Sequence, residues 1–324
     1  MTTVAFIGLG NMGLPMTKNL IEAGFTVRGY DVVEACRAAA ADAGVEVVGS
    51  ALDAMEGADA VITMLPKGEH VRAVYFGSGD AAMPGDDGIL AHATSEQLLI
   101  DSSTIDIASC QAVHDAADAK GLHFVDAPVS GGISGAAAGT LTFMVGGTEV
   151  DVERARTIIE PMCGNFFATG GPTTGEAAKI VNNMMLFIAV QGLAEGASLA
   201  KKLGLDAATF HRIAAVSSAN SWALQTWYPV PGVVPTAAAN NEFAASFRAD
   251  LALKDIGLAL AGAAEHDLHL PAAELSAQRL QEAVDGGGAD LDCTVVIAAV
   301  DPEADGLPAG YVHGGTPGDA RRDG

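Results

Sequence analysis

The run Val4-Ala5-Phe6-Ile7 leads straight into Gly8-Leu9-Gly10-Asn11-Met12-Gly13, and LPMTKNLIEAG follows it with a helix-like pattern. An apolar strand, then G-x-G-x-x-G, then a helix is the opening of a dinucleotide-binding βαβ unit. Gly8 allows the tight turn, Gly10 lets the backbone approach a pyrophosphate, and Gly13 lets the helix pack close to the sheet. The helix N-terminus adds free N–H groups and a partial positive charge. Gly8, Gly10, Asn11, Met12 and Gly13 are therefore candidate cofactor contacts, against the alternative of a tight turn that binds nothing.

Asp31 ends the next strand-like run, Thr26 to Tyr30, 18 positions after Gly13. That is close to the spacing of about 20 at which an acid meets the adenosine ribose. Its charge would repel a 2′-phosphate, which predicts NAD rather than NADP. The competing role is a helix N-cap for VVEACRAAA.

Short β-branched runs alternate with Ala-rich stretches up to residue 168, the rhythm of a parallel sheet with crossover helices. Strands are expected at Val4–Gly8, Thr26–Tyr30, Ala60–Met64, Leu98–Asp101, His123–Asp126, Leu141–Val145 and Phe166–Thr169. Gly77–Gly88 carries turn chemistry and reads as a surface loop. Beyond GGPTTG at 170–175 the pattern turns helical, opening with a stretch over about 174–203. The fold class expected is an α/β Rossmann-like nucleotide-binding domain (1–168), a long interdomain helix and an all-α C-terminal domain (169–300). The tail 301–324, rich in Gly, Pro and Asp, is expected to be disordered.

With 49% hydrophobic and 18% charged residues over 324 positions, the chain can bury two cores. Its 40 acidic against 17 basic residues, a formal charge of -23, argue against nucleic acid or an anionic lipid surface as a partner. The longest uninterrupted apolar stretch, Met184–Val190, is far short of the roughly 20 residues of a bilayer span. Four scattered cysteines and an N-terminus without a basic leader predict a reduced, cytoplasmic protein.

Gly175, Lys179 and Asn183 stand four apart and so share one helix face. A lysine can polarise a carbonyl and exchange a proton with it, and an unperturbed lysine pKa of about 10.4 predicts that alcohol oxidation quickens toward alkaline pH. A solvated helix lysine is the ordinary alternative. Ser130, Gly131 and Gly132 follow a strand at the edge where ligands of open sheets bind. Their hydroxyl and backbone N–H groups could hold a carboxylate, or the glycines could simply turn the chain.

Taken together the motifs carry a resemblance. FIGLGNMG at 6–13, DAPVSGG at 126–132, GEAAKIVNN at 175–183 and LKDIGLA at 253–259 occur in the order of the β-hydroxyacid dehydrogenase family, which the chain resembles from about Val4 to Val300. TMLP at 63–66, DSSTID at 101–106 and LTFMVGG at 141–147 are also similar. SWALQTWYPVPGV at 221–233 and ANNEF at 239–243 resemble the hydroxyisobutyrate branch more than the tartronate semialdehyde branch.

The resemblance implies that Lys179 is the catalytic lysine and that Asn183 orients substrate and lysine. It also implies that Ser130, Gly131 and Gly132 hold the substrate carboxylate, that Leu65, Pro66 and Thr104 line the cofactor, and that Lys254 contacts it from the helical domain. Trp222 and Phe247 are weaker candidates for a pocket wall. The activity implied is NAD-dependent oxidation of 3-hydroxyisobutyrate, a step of valine breakdown, by a homodimer or homotetramer acting on a small hydroxyacid. Sister activities on tartronate or succinic semialdehyde, and a non-catalytic NAD-binding scaffold, compete with it.

His70 stands where the family often places a cofactor-contacting Asn, so that contact stays unassigned. His266 and His269 are three apart without a clear third ligand, and no metal is expected.

Overall fold

The computed structural model describes residues 2–311 and divides the chain into two compact units, residues 1–179 and 180–324. The first unit is built on a nine-stranded sheet. Its strands are β1 Thr3–Ile7, β2 Thr26–Tyr30, β3 Glu46–Val47, β4 Ala60–Thr63, β5 Leu98–Asp101, β6 His123–Asp126, β7 Val129–Ser130, β8 Leu141–Gly146 and β9 Cys163–Gly170. Six strands run parallel in the order β3-β2-β1-β4-β5-β6. Beyond them β8 lies antiparallel to β6 and β7, and β9 pairs parallel with β8.

The alternation along β1 builds two cores. Val4 and Phe6 join one cluster with Met16, Leu20, Ile62, Ile100 and Phe143, while Ala5 and Ile7 join the opposite one with Val61, Tyr75, Leu99 and Phe124. Each fully buried large apolar side chain contributes roughly 1.5–3 kcal/mol to stability. Helices cover both faces, as parallel sheets require.

The second unit is helical. The long helix Thr174–Lys202 turns Phe187, Val190, Leu193, Ala194 and Ala197 into a core shared with Tyr228, Phe243, Ile256 and Val295–Ile297. Among the described residues it is the one helix whose length and composition would also suit a membrane crossing, yet Glu176, Lys179, Asn183 and Gln191 along it are buried. Helices Ala249–Glu265 and Pro271–Ala283 pack beside each other, with Pro271 at the first turn of the latter.

Four details depart from the sequence reading. Strands β3 and β7 are two residues each, too short to show a period. The strand β9, Cys163–Gly170, is longer at both ends than the expected Phe166–Thr169, and the division falls after Lys179 rather than at 168, with the first turn of the long helix bonded to the sheet. Residues 301–311 are ordered rather than disordered: Lys201 Nζ lies 3.0 Å from Asp301 Oδ2, and Leu307 and Tyr311 pack against the helical core. Residues 312–324, the rest of the expected tail, lie outside the described residues.

Candidate active site

Strand order reverses between β1 and β4, the switch point where open α/β sheets bind ligands beyond their carboxyl ends. Gly8 follows β1 there with φ +99°, and a Cβ on it would lie 2.2 Å from the Met64 carbonyl oxygen. Gly13 is equally constrained, since a Cβ there would lie 1.9 Å from the Gly8 carbonyl oxygen. Gly10, by contrast, faces open space, and a Cβ there would meet nothing within 4 Å. The helix Gly13–Glu22 begins with no side-chain cap and no acid in its first turn. Its N-terminus is left for an anionic ligand. These residues fit the pyrophosphate of a dinucleotide.

Asp31 sits just past β2 and ties this loop down. Its Oδ2 accepts from Leu9 N at 2.7 Å and its Oδ1 from Val33 N at 2.8 Å. The carboxylate is partly exposed and has lone pairs beyond those two bonds, enough to accept from the hydroxyls of a ribose. The N-cap alternative falls to Val33, which precedes helix Glu34–Asp42 without a side-chain cap.

Leu65 N donates to Ser103 Oγ at 2.9 Å, joining the loop after β4 to the loop after β5. Leu65, Pro66 and Thr104 thus stand at the same sheet edge as Gly8–Gly13. Beneath them Asp101 accepts from Thr63 Oγ1 at 2.7 Å and Ser103 Oγ at 2.6 Å. Burial pushes its carboxyl up to about 6, against those hydrogen bonds and helped by the charge of Asp126.

Asp126, at the end of β6, is fully buried. Its Oδ1 faces His114 Nε2 at 2.7 Å and accepts from Thr173 N at 3.0 Å, while Oδ2 accepts from Glu176 N at 2.9 Å. Cys110, His114 and Asp126 offer ligand atoms within 4.8 Å of one another. Both carboxylate oxygens are committed to N–H donors, and burial, then the charges of Asp126, Glu176 and Asp101, push the Cys110 thiol well up.

Ser130 closes β7 opposite Thr142, and Gly131 and Gly132 follow with φ of +134° and +63°, both exposed. The left-handed backbone turns the chain into helix Gly132–Ala138, whose first N–H groups have no side-chain cap.

Lys179 and Asn183 are both buried, at 7% and 2% exposure, one turn apart on the long helix. In the second unit Asn183 Nδ2 donates to Asp255 Oδ2 at 2.6 Å, and Lys254 Nζ lies 2.9 Å from Asp255 Oδ1. Phe247 stacks on Phe187 at 5.6 Å and near Trp227, while Trp222 meets Trp227 edge-on and stays half exposed. His70 is exposed, and His266 and His269 follow the end of helix Ala249–Glu265, where His269 pairs with Glu274.

Sequence reading assigned no role to Asp101, His114, Asp126, Glu176 or Asp255. The available signal was an acid at the end of an apolar strand, or beside a lysine within LKDIGLA, where burial demands a partner.

The chain as a whole is similar to known proteins. Residues 3–171 match the family model described as the NAD binding domain of 6-phosphogluconate dehydrogenase. Residues 173–300 match that described as the NAD-binding of NADP-dependent 3-hydroxyisobutyrate dehydrogenase. A probable 3-hydroxyisobutyrate dehydrogenase of Mycobacterium tuberculosis is 44% identical over 94% of this chain and all of its own length. An NAD-dependent L-serine dehydrogenase of Pseudomonas aeruginosa is 40% identical over 93% of this chain and 99% of its own. The solved Mycobacterium tuberculosis 3-hydroxyisobutyrate dehydrogenase with L-serine superposes with a TM-score of 0.83, covering 93% of this chain and 99% of that one at 44% identity.

Proposed function

Because the chain belongs to the 3-hydroxyisobutyrate dehydrogenase family, an NAD-dependent oxidoreductase family, we propose that it oxidises 3-hydroxyisobutyrate to methylmalonate semialdehyde, as a step of valine breakdown. The observation that carries this reading is a buried lysine and a buried amide, Lys179 and Asn183, one helical turn apart. Burial of a lysine is costly and rare without a task or a partner.

NAD, when bound, supplies the hydride acceptor. Gly8, Gly10, Asn11, Met12 and Gly13 hold its pyrophosphate, Asp31 its adenosine ribose, and Leu65, Pro66 and Thr104 line it, with Lys254 as a further cation toward it. Ser130 Oγ and the backbone N–H groups of Gly131 and Gly132 hold the substrate carboxylate. Neutral Lys179 takes the hydroxyl proton as the alcohol carbon gives up hydride, and in the reverse direction its ammonium returns that proton. At about 4 Å and an effective dielectric near 20, a lysine charge lowers the energy of a developing alkoxide by about 4 kcal/mol. Asn183, oriented by Asp255, keeps one amide hydrogen for the substrate or lysine.

A second reading, oxidation of L-serine, is favoured by the relative named for that activity and by the solved structure holding L-serine. Both substrates are 3-hydroxypropanoates oxidised at a primary alcohol, and they differ at the carbon between the alcohol and the carboxylate, in an ammonium against a methyl group. Cytoplasmic location and a homodimer or homotetramer belong to the same proposal.

Initial rates with NAD and NADP against 3-hydroxyisobutyrate, L-serine, glycerate and 3-hydroxypropionate test the assignment. The expected result is the highest kcat/KM with NAD and 3-hydroxyisobutyrate. A higher kcat/KM for L-serine transfers the assignment to that substrate, and failure to oxidise any member overturns it.

A further inference from the structure

We propose that Asp126 is a positioning residue: it locks the first turn of the helix that carries Lys179 to the strand that leads into Ser130-Gly131-Gly132. This deepens the proposed catalytic function and rests on it for the role of Lys179. Four independent features of the first unit converge on this carboxylate.

First, its bonds are to backbone N–H groups at a helix entry. Thr173 N donates to Oδ1 at 3.0 Å and Glu176 N to Oδ2 at 2.9 Å. The carboxylate therefore spans the start of the long helix, satisfying donors that have no partner within the helix.

Second, the entry is strained. Thr173 holds φ +68°, a left-handed conformation that a β-branched residue rarely adopts and that persists only where surrounding structure fixes it. The bond from Thr173 N to Asp126 is part of that fixing.

Third, two glycines make room for the carboxylate. A Cβ on Gly175 would lie 2.4 Å from Met144 O, 2.7 Å from Asp126 O and 2.8 Å from Asp126 Oδ2. One on Gly146, paired with Asp126 across the β6–β8 bridge, would lie 2.8 Å from Asp126 Oδ1. Strand, carboxylate and helix approach too closely for any side chain at either position.

Fourth, the arrangement is braced on both sides. His114 Nε2 lies 2.7 Å from Oδ1 of Asp126, from helix Ile107–Ala119. Glu176, fully buried, accepts from Ile105 N at 3.3 Å, tying the same helical turn to the loop that carries Thr104.

The functional consequence follows from chain geometry. Lys179 lies three residues beyond Glu176, a rise of about 4.5 Å, so a slip or rotation of the first turn moves it directly. Ser130 lies four residues beyond Asp126 along the other chain segment. One carboxylate thus sets the placement of the proton-exchanging lysine and begins the loop assigned to the substrate carboxylate. A misplacement near 1 Å costs about a hundredfold in rate when reacting groups must be aligned.

The experiment compares Asp126→Asn and His114→Gln with wild type by three readouts. These are steady-state kinetics on whichever hydroxyacid the wild type oxidises fastest, NAD affinity by titration, and amide hydrogen exchange along the chain. The first variant keeps the shape but places an NH2 against a backbone N–H and removes the charge. The second keeps Asp126 and removes its brace, and carries the test if Asp126→Asn does not fold.

The expected result for Asp126→Asn is a fall of about 10- to 100-fold in kcat, with NAD affinity and KM within about threefold. Deuterium at the reacting carbon should slow kcat more than in wild type, and exchange should quicken over 173–176 and not in β1 or β4. His114→Gln should show the same signature in smaller degree. A kcat within twofold of wild type, or a loss matched by weaker NAD binding and faster exchange throughout, overturns the proposal. If the wild type oxidises no hydroxyacid, the functional reading fails by itself. Exchange then decides the joint: faster exchange confined to 173–176 supports it, and unchanged protection there overturns it.

Discussion

Asn183 donates its side-chain amide to Asp255 at 2.6 Å, and Lys254 Nζ rests 2.9 Å from the other oxygen of the same carboxylate. Asn182 Nδ2 in turn donates to Asn183 Oδ1 at 3.1 Å. The amide of Asn183 is thereby fixed in one orientation, with Asp255 as the group shared by two proposed site residues.

Removing that group should uncouple both. Asp255→Ala removes the carboxylate beside Lys254 and leaves Asn183 without the acceptor that orients it, at a stability cost on the order of 2 kcal/mol. A fall in kcat/KM of roughly 10- to 100-fold is expected, with Asp255→Asn milder because it retains an acceptor for Asn183. Thermal melts and steady-state kinetics on the two variants check this, and equal losses in both would contradict the acceptor role.

Asp101 predicts a pH dependence of stability. Burial raises its carboxyl from the ordinary 3.8 to about 6, so the folded state binds the proton more tightly than the unfolded chain. Its contribution is therefore most favourable below the unfolded value and is lost as pH rises toward about 6. Asn at this position supplies a neutral group, keeps an acceptor for the Ser103 and Thr63 donors, and puts its NH2 where Oδ2 has no hydrogen-bond partner. Asp101→Asn should gain stability relative to wild type between about pH 4 and 6, reaching on the order of 3 kcal/mol, and hold that gain at higher pH. Denaturant unfolding at about pH 4 and 7 measures the difference, and a gain that shrinks with rising pH would contradict a raised carboxyl at this position.

Asp31 should govern the choice of cofactor. With its oxygens on Leu9 N and Val33 N, it ties down the glycine loop, and in the proposed binding mode its negative charge meets the adenosine ribose. Asp31→Ala is expected to weaken NAD about tenfold or more, about 1.4 kcal/mol, and to narrow the ratio of NAD to NADP affinity. Fluorescence titration with each nucleotide decides it, and an unchanged ratio would separate Asp31 from cofactor choice.

The segment 301–311 should stabilise the helical unit. Asp301 is buried against Lys201, and Tyr311 reaches Ala283 O at 3.4 Å. A chain ended after Val300 should melt several degrees lower than one ended after Tyr311, since about 1 kcal/mol shifts the melting temperature of a domain this size by a few degrees. Identical melting curves would show that the segment adds nothing.

Much of this molecule is legible in the sequence where the signal is local. The strands around Phe6, Ile62 and Ile100 are runs of buried apolar residues, and the glycine loop announces its own backbone requirements. What escaped depends on partners far apart in the chain. Asp126 stands in plain view at the head of DAPVSGG, yet its partners Thr173 and Glu176 are 47 and 50 residues away. Asp301 sits in a polar segment whose composition suggests disorder, and its partner Lys201 is 100 residues upstream. The domain boundary moved for the same reason: bonds from Asp126 assign the first turn of a continuous helix to the sheet.

The most direct test of the catalytic assignment is the single turnover of Lys179→Ala with NAD and the preferred hydroxyacid. Loss of general acid–base catalysis predicts a hydride-transfer rate lower by about 10²- to 10⁴-fold, with NAD affinity within about twofold of wild type. A single-turnover rate near that of wild type would remove Lys179 from the chemistry.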